Sequence, residues 1–387
     1  MPSLFAKISI SKKLIAAFLL VGIIPLMVLG LTTLDSASKA LEKQSLNQLE
    51  TVRSIKKGQI EDYFKSTQED LAILSKTIRP HMYMCPLNMC ANLNLSGKEN
   101  AHFNAYIETY GYRDLFIIKT DGYVGYTATK KTDYQSNLIN GAYAESSLGR
   151  LFRDVMATGE FGFADFEAYA PSSGVPASFI AQPITNAAGK IKAVVALEIS
   201  TDSINKIMAE RSGMGSTGES YLVGADHLMR SDSFLDPINH SVEASFANPQ
   251  EGSIDSDSTK AGLAGQSGSS TIMNYNGNPV LSSYTPVNIL GSQWALIAEV
   301  DRAEAFAPMQ ELKVLAFKIG IIGSVLIYIL AFFMSRSIRR PILSLSQLFK
   351  KIDASGDFSL RVTDIVSTDE IGQMANAVNQ HLESLQH

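Results

Sequence analysis

The residues whose types and spacing could do chemistry include a cysteine pair in the first third of the chain. Cys85 and Cys90 are the two cysteines of the sequence and lie five positions apart. An even pair in an oxidising compartment favours a disulfide that closes a small loop. One histidine and three methionines between positions 81 and 89 are soft ligands that would also suit Cu(I), and free thiols are a third alternative. We predict the disulfide, with no resident metal and no cofactor.

Catalytic sequence patterns are missing from the chain. The sequence contains no G-x-S-x-G elbow, no P-loop and no H-E-x-x-H pair. The glycine-rich run 213–218 precedes a predicted strand and is not followed by lysine, which indicates a linker rather than a phosphate-binding loop. The net charge of −5 disfavours nucleic-acid binding. We therefore expect neither an enzyme nor a nucleic-acid-binding protein.

Two apolar runs must position everything else, because each is long enough to cross a membrane. Residues 14–34 and 314–335 form the two runs, with Lys318 as the single charge within them. A helix of 22 residues rises about 33 Å, which is enough for a bilayer. Basic residues precede the first run and follow the second. The positive-inside rule therefore predicts cytoplasmic segments at 1–13 and 336–387 and a periplasmic segment at 35–312.

The periplasmic segment begins with a long helix and continues as two copies of one pattern. Apolar residues recur every three to five positions through 35–78, and Arg79-Pro80 is expected to end the helix. Each copy reads as strand, turn, strand, helix and three strands. The predicted elements of the copies are 114–119, 123–127, 147–158, 162–169, 177–183 and 191–199, then 219–223, 227–230, 259–263, 270–275, 280–285 and 294–300. This order predicts an α+β fold of two stacked half-domains.

The order of these elements resembles the double Cache sensor of bacterial methyl-accepting chemotaxis proteins, whose half-domains are PAS-like. The resemblance covers residues 35–312, with a membrane-distal half at 103–199 and a membrane-proximal half at 213–302. It rests on segments such as Thr120-Asp-Gly-Tyr-Val124 and Phe161-Gly-Phe-Ala-Asp-Phe166. It implies a receptor that senses a small extracellular molecule.

The last 52 residues, 336–387, are similar to a HAMP domain, a pair of short helices that forms a coiled-coil bundle in a dimer. Pro341 stands just inside the first helix, and 355–362 is similar to the connector of that family. Asp369-Glu370 suits the positive end of the second helix. The resemblance implies a homodimer in the cell inner membrane. The sequence reaches position 387 without a signalling domain, so a chemotaxis kinase and adaptor are expected partners only if such a domain follows.

The resemblance places the ligand in the distal half, between the sheet and the loops above it. Aromatic and acidic residues there could hold an ammonium group by charge and cation–π contact. The predicted ligand-binding residues are Tyr126, Tyr134, Asp165, Tyr169 and Phe179. The segment 132–137 departs from the arginine- and tryptophan-containing run of the amino-acid-binding branch, so we expect contacts of another kind.

The sequence leaves the output of the receptor open. The chain could be the sensor portion of a histidine kinase or cyclase, or a truncated regulatory partner without its own output. His381 and His387 lack the sequence context of a phosphorylated histidine. We interpret both as solvated.

The topology gives the first testable prediction. An alkaline phosphatase fused after Ser200 is expected to be active, because this enzyme requires an oxidising compartment. The same fusion after Ser355 is expected to be inactive. Activity in the opposite order would exclude a periplasmic sensor.

Overall fold

The computed structural model describes residues 8–83, 97–365 and 368–386, which form two units. Leu41–Phe306 is one unit, and the described parts of Met1–Ala40 and Ala307–His387 form the other. The predicted disulfide between Cys85 and Cys90 lies outside the described residues. The segment expected to be the sensor is therefore a structural unit of its own.

Helices and strands mix along the chain as an α+β fold requires, which confirms the predicted class. In chain order the elements are α1 (Ile10–Tyr83), α2 (Gly97–Tyr110), β1 (Tyr112–Lys119), β2 (Val124–Thr127), α3 (Ser147–Thr158), β3 (Gly162–Ala168), β4 (Pro176–Thr185), β5 (Ile191–Ile199), α4 (Thr201–Met208), β6 (Glu219–Val223), α5 (Val242–Ala247), α6 (Pro249–Gly252), α7 (Asp257–Leu263), β7 (Gly268–Met273), β8 (Pro279–Ile289), β9 (Ser292–Asp301), α8 (Arg302–Ala305), α9 (Ala307–Ser355) and α10 (Glu370–Gln386).

The distal half is a five-stranded antiparallel sheet in the order β2-β1-β5-β4-β3. Its apolar faces differ in partner, because one set of side chains packs with α1 and the other packs with α3. Helix α3 begins where the hydroxyl of Ser146 accepts from the amide of Gly149, and it ends at Gly159. Gly159 has a φ of +71°, a left-handed conformation that favours glycine. These caps fix α3 between the predicted bounds.

The proximal half is a four-stranded antiparallel sheet in the order β6-β9-β8-β7. The prediction of a returning strand at 227–230 was wrong. After the turn at Gly224, the chain pairs with β6 through a single bridge between Val223 and Met229. The side chain of Arg230 then binds carboxylates elsewhere in the sensor unit, and the segment leaves the sheet. The second copy therefore has one strand fewer than the first.

Helix α1 contributes an apolar stripe to the cores of both half-domains. Its fully or almost fully buried side chains recur at helical spacing, at Leu49, Ile60, Phe64, Leu71, Leu74 and Ile78. Leu49 packs with the proximal sheet, and the others belong to the core cluster that contains the distal sheet. The helix reaches Tyr83 rather than ending at Arg79-Pro80 as predicted.

The second unit contains two helices that are long and apolar enough to cross a membrane. They approach closely where Gly22 meets Ile327, and the hydroxyls of Ser11 and Ser335 are 2.6 Å apart. Small residues allow such close approach between membrane helices. Helix α9 runs without interruption through Pro341. The second apolar run and the segment expected to be the first HAMP helix are therefore one continuous helix.

The connector between α9 and α10 is fixed by one side chain. The amide group of Asn379 in α10 accepts from the backbone N–H of Val362 at 2.8 Å and donates to its carbonyl at 2.9 Å. Leu348 and Ile352 of α9 pack with Leu382 of α10 beneath it. These contacts pack the two helices of the pair within one chain.

An ion pair joins the distal and proximal half-domains. Asp165 in β3 accepts from Nε and Nη2 of Arg230 at 2.9 and 3.0 Å, in a bidentate geometry. It also accepts from Nε1 of Trp294 in β9 at 3.0 Å. The side chain of Arg230 is 3% exposed and also binds Asp226. We call Asp165, Arg230 and Trp294 the interdomain latch.

The latch gives a stability prediction. Arg230→Met leaves the buried side of Asp165 without its cation, which typically costs about 3–5 kcal/mol of unfolding free energy. Urea unfolding of the full-length chain in detergent measures it through the fluorescence of Trp294, the single tryptophan. Arg150→Met is the matched control, because its pair with Glu167 is about half exposed and is expected to contribute below about 1 kcal/mol. Equal losses in the two variants would contradict the structural role of the latch.

Candidate functional site

A row of side chains crosses the distal sheet on the face opposite to α1. Asp114 in β1 is in register with Glu198 in β5, and Glu198 is in register with Phe179 in β4. Residues in register on antiparallel strands point to the same face. All three side chains are fully buried. Two carboxyl groups therefore lie inside the protein beside an aromatic ring. They lie beneath residues 128–146, the segment between β2 and α3, which we call the covering loop.

The covering loop supplies most of the hydrogen-bond donors to the carboxylate of Asp114. Its Oδ1 accepts from the amides of Ala128 and Thr129 at 2.9 and 3.1 Å, and from the adjacent amide of Leu115. Its Oδ2 accepts from the hydroxyl of Thr129. Asp114 therefore anchors the start of the covering loop.

Glu198 has one partnered and one unpartnered oxygen. Lys131 from the covering loop donates to Oε2 of Glu198 at 2.8 Å and to the hydroxyl of Ser172 at 2.9 Å. Oε1 is buried and meets no donor within the described ranges. Burial raises the pKa of Glu198, and the charge of Lys131 opposes that rise. Oε1 of Glu198 is therefore an acceptor without a donor among the residues that the structure describes.

Asp133 repeats this arrangement from the covering loop. The hydroxyl of Tyr169 donates to its Oδ2 at 2.6 Å, and its Oδ1 is buried without a described partner. Burial raises the pKa of Asp133; the hydrogen bond from Tyr169 opposes this, and Asp114 adds to it. A buried acceptor that lacks a donor costs free energy, so such an atom indicates a place for a donor from outside the chain.

Aromatic rings form one wall of this site. The rings of Tyr169 and Phe179 meet edge to face with centroids 4.9 Å apart, and Phe116 lies 6.0 Å from Phe179. We call this set the distal acidic cluster; its members are Asp114, Lys131, Asp133, Tyr169, Phe179 and Glu198. It combines three buried carboxyl groups with one lysine. Its chemistry suits a ligand that brings positive charge and N–H donors.

The structure brings together only part of the predicted ligand-binding set. Tyr169 and Phe179 lie in the distal acidic cluster, and Tyr134 is partly buried in the covering loop next to Asp133. Tyr126 lies on the opposite face of the sheet, where its ring is 5.6 Å from Phe103. Asp165 belongs to the interdomain latch.

Sequence reasoning missed the charged members of the cluster. Glu198 is the single acidic residue in the otherwise apolar end of β5, and a charge in a buried strand was a usable signal. Lys131 and Asp133 lie beside the predicted Tyr134, yet no local pattern shows that their segment folds over the sheet. Their roles depend on contacts with residues more than 30 positions away.

The Cache domain family matches residues 36–309 of this chain, and the HAMP domain family matches residues 333–387. A curated protein of Sinorhizobium fredii (strain NBRC 101917 / NGR234) named probable chemoreceptor y4sI is 26% identical over 182 residues. The alignment covers 47% of this chain and 22% of that protein, so the chain matches about a fifth of its relative.

Solved structures are similar in fold. The periplasmic sensory domain of the chemoreceptor Tlp1 from Campylobacter jejuni is 13% identical, with a TM-score of 0.50 and coverage of 69% of this chain and 99% of that one. The ligand-binding domain of the amino acid chemoreceptor PctB from Pseudomonas aeruginosa, in complex with L-Arg, is 16% identical with a TM-score of 0.46. This match covers 67% of this chain and 97% of the PctB domain. The family matches confirm the resemblance found in the sequence: the chain belongs to the Cache domain family and carries a HAMP domain after its second apolar helix.

Proposed function

We propose that the protein is a transmembrane chemoreceptor whose distal half-domain binds a small molecule bearing an ammonium group. The observation that carries this proposal is the pair of buried, unpartnered oxygens, Oδ1 of Asp133 and Oε1 of Glu198. In this proposal the binding of the ligand, rather than a catalytic reaction, drives the signal.

An ammonium group fits the distal acidic cluster in charge and in hydrogen bonding. It supplies positive charge to a site with more carboxylates than lysines, and it offers up to three donors. The rings of Tyr169 and Phe179 could add a cation–π attraction of about 0.5–2 kcal/mol. We retain Tyr134, Tyr169 and Phe179 as ligand contacts. Tyr126 and Asp165 we reassign to packing and to the interdomain latch.

The proposed location is the cell inner membrane, with two spans. A Cache sensor joined to a HAMP domain implies a membrane protein with a periplasmic sensor. Lys12 and Lys13 precede the first span, and Arg336, Arg339 and Arg340 follow the second. By the positive-inside rule, both basic clusters remain in the cytoplasm.

We propose that the receptor is a homodimer through its HAMP helices. Leu343 and Phe349 on α9, and Met374 and Leu385 on α10, are between 43% and 54% exposed in a single chain. Exposed apolar side chains on a helical hairpin are typically covered by another copy when the hairpin forms a helical bundle. A chemotaxis kinase and an adaptor would act as partners through a signalling domain following the HAMP domain.

A route for the signal runs through the sensor unit along covalent and packed contacts. Asp165 in the distal half binds Arg230 and Trp294 in the proximal half. Trp294 lies in β9, and β9 continues through α8 into α9, which contains the second span. Shifts of about 1–2 Å are typical of signalling helices. A ligand that favours one packing of the distal half would thus bias the helix that enters the membrane.

Calorimetry on the full-length protein in detergent tests the ligand proposal. We expect binding within a panel of primary amines and none for the matching alcohols. Asp133→Asn is expected to weaken Kd by about tenfold or more, because a hydrogen bond to a charged group contributes about 1.5–3 kcal/mol.

Asp154→Asn is the matched control, because Asp154 lies exposed on α3 of the same half-domain and is expected to leave Kd unchanged. Glu198→Gln should act like Asp133→Asn. If the alcohols bind as tightly as the amines, or if Asp133→Asn and Glu198→Gln both bind like the wild type, the proposed recognition is wrong.

A further inference from the structure

A second pair of carboxyl groups lies inside the proximal half-domain, away from the distal acidic cluster. Glu219 in β6 is in register with Glu299 in β9, so both side chains point to the same face of the sheet. Their exposures are 0% and 1%. Helix α7 covers this face, where Gly262 contacts Ala295 and the hydroxyls of Ser258 and Ser282 are 2.8 Å apart.

The two carboxyl groups have opposite surroundings. Glu219 accepts from the hydroxyl of Ser233 at 2.7 Å, from the amides of Phe234 and Leu235 at 3.0 and 3.3 Å, and from the hydroxyl of Tyr275. These four donors satisfy both carboxylate oxygens of Glu219. Neither oxygen of Glu299 has a hydrogen-bond partner of ordinary geometry among the described residues, and the donors that face it are the hydroxyl of Tyr221 and the side chain of Asn274. A buried charge with so few donors is costly, so burial favours the neutral acid of Glu299.

The groups around Glu299 add no positive charge. Glu219 and Tyr221 face it from β6, Tyr275 from the turn after β7, and Asp301 from its own strand. His240 packs on the ring of Tyr275 at 4.4 Å, with its Nδ1 2.9 Å from the carboxylate of Asp236. Across the described part of the chain, neither Glu219 nor Glu299 forms a salt bridge.

Burial and then the charge of Glu219 raise the pKa of Glu299 to about 8. Burial and the nearby carboxylates raise the pKa of Tyr221 and of Tyr275 as well, so both phenols remain protonated. When two neighbouring carboxyl groups lie in different surroundings, one of them can be charged while the other stays neutral. Here Glu219 is the charged partner and Glu299 is the neutral one.

We propose that Glu299 is a proton-binding site of the proximal half-domain, and that loss of this proton in alkaline surroundings weakens the pairing of β6 with β9. Ionisation would place two negative charges side by side on these strands, where like charges destabilise the pair. The proton site is separate from the ligand site in the distal half. The receptor would therefore respond to the pH of the periplasm as well as to its ligand.

The position of Glu219 and Glu299 connects the proton site to the helix that contains the second span. The end of β9 and the start of β6 are held together, because the amide of Asp301 donates to the hydroxyl of Thr217 at 3.1 Å. Glu304 in α8 accepts from the amides of Ser216 and Thr217 at 2.8 and 2.7 Å. These contacts fix the segment that continues into α9. A change in the β6–β9 pairing would thus act on the residues that precede the second span.

The sign of the pH effect follows from the direction of the shift. An acid whose pKa rises on folding, from 4.5 to about 8, binds its proton more tightly in the folded state. The folding equilibrium constant then falls as pH rises through this interval, by up to about tenfold per pH unit from this group alone. At pH values above the folded-state pKa of Glu299, the contribution of this group to stability no longer changes with pH.

Infrared difference spectroscopy on the full-length protein in detergent tests the proposal directly. Between about pH 6 and about pH 9, we expect the wild type to lose the carbonyl band of a protonated carboxylic acid, with a midpoint above neutral pH. In a background of Asp133→Asn and Glu198→Gln, which removes the two other buried carboxyl groups of raised pKa, Glu299→Gln should lack this change. Glu251→Gln is the matched control, because Glu251 is exposed in the same half-domain and should keep the band.

A second variant covers the case in which Glu299→Gln does not fold. Glu219→Gln removes the neighbouring charge, so the midpoint of Glu299 is expected to move to lower pH. The proposal is overturned if the wild type shows no protonated carboxyl band near neutral pH, if Glu299→Gln retains it, or if Glu219→Gln leaves the midpoint where it was.

Discussion

The packing of two sheets against one helix is the constraint on which the sensor unit depends. Helix α1 buries Leu49 against the proximal sheet and Phe64 and Leu71 in the core that includes the distal sheet. One face of each sheet packs toward α1, and the other face is covered by the segment between the early and late strands of the same half-domain. Polar side chains between sheet and covering segment are buried away from water.

Both half-domains place an acid pair in that space, at the same point of the fold. The pairs are Asp114 with Glu198 and Glu219 with Glu299, each on the first and last strands of its half. In each pair the first-strand acid is saturated by donors, and the last-strand acid has unpartnered oxygen. The two pairs differ in their cation, because Lys131 forms an ion pair with Glu198, whereas no lysine or arginine in the described part of the chain pairs with Glu299. Under the two proposals, one duplicated arrangement would serve recognition of a charged ligand in the distal half and binding of a proton in the proximal half.

The sequence predicted what depends on local pattern. The bounds of α3, β5 and β6 follow from periodicity, caps and turns, and they agree with the structure. Pairings between distant residues could not be predicted in this way. Asp165 was interpreted as a ligand contact because nothing in its neighbourhood indicates that Arg230, 65 positions later, binds it. Tyr126 was assigned to the ligand face, although its register with Ile117 places it on the α1 side. Strand parity is certain only once the register is known.

The interdomain latch connects residues that are far apart in the sequence into one set of contacts. Trp294 donates to Asp165 through its indole N–H, and its ring meets Phe64 of α1 edge to face at 5.4 Å. A single side chain therefore touches the distal half, the proximal sheet and the shared helix. Close-packed interiors do not deform continuously, so a displacement at one contact of Trp294 requires a change at the others. The same ring lies in β9, the strand that carries Glu299. Ligand and proton would therefore act on one strand, and their effects on the second span should be coupled rather than independent.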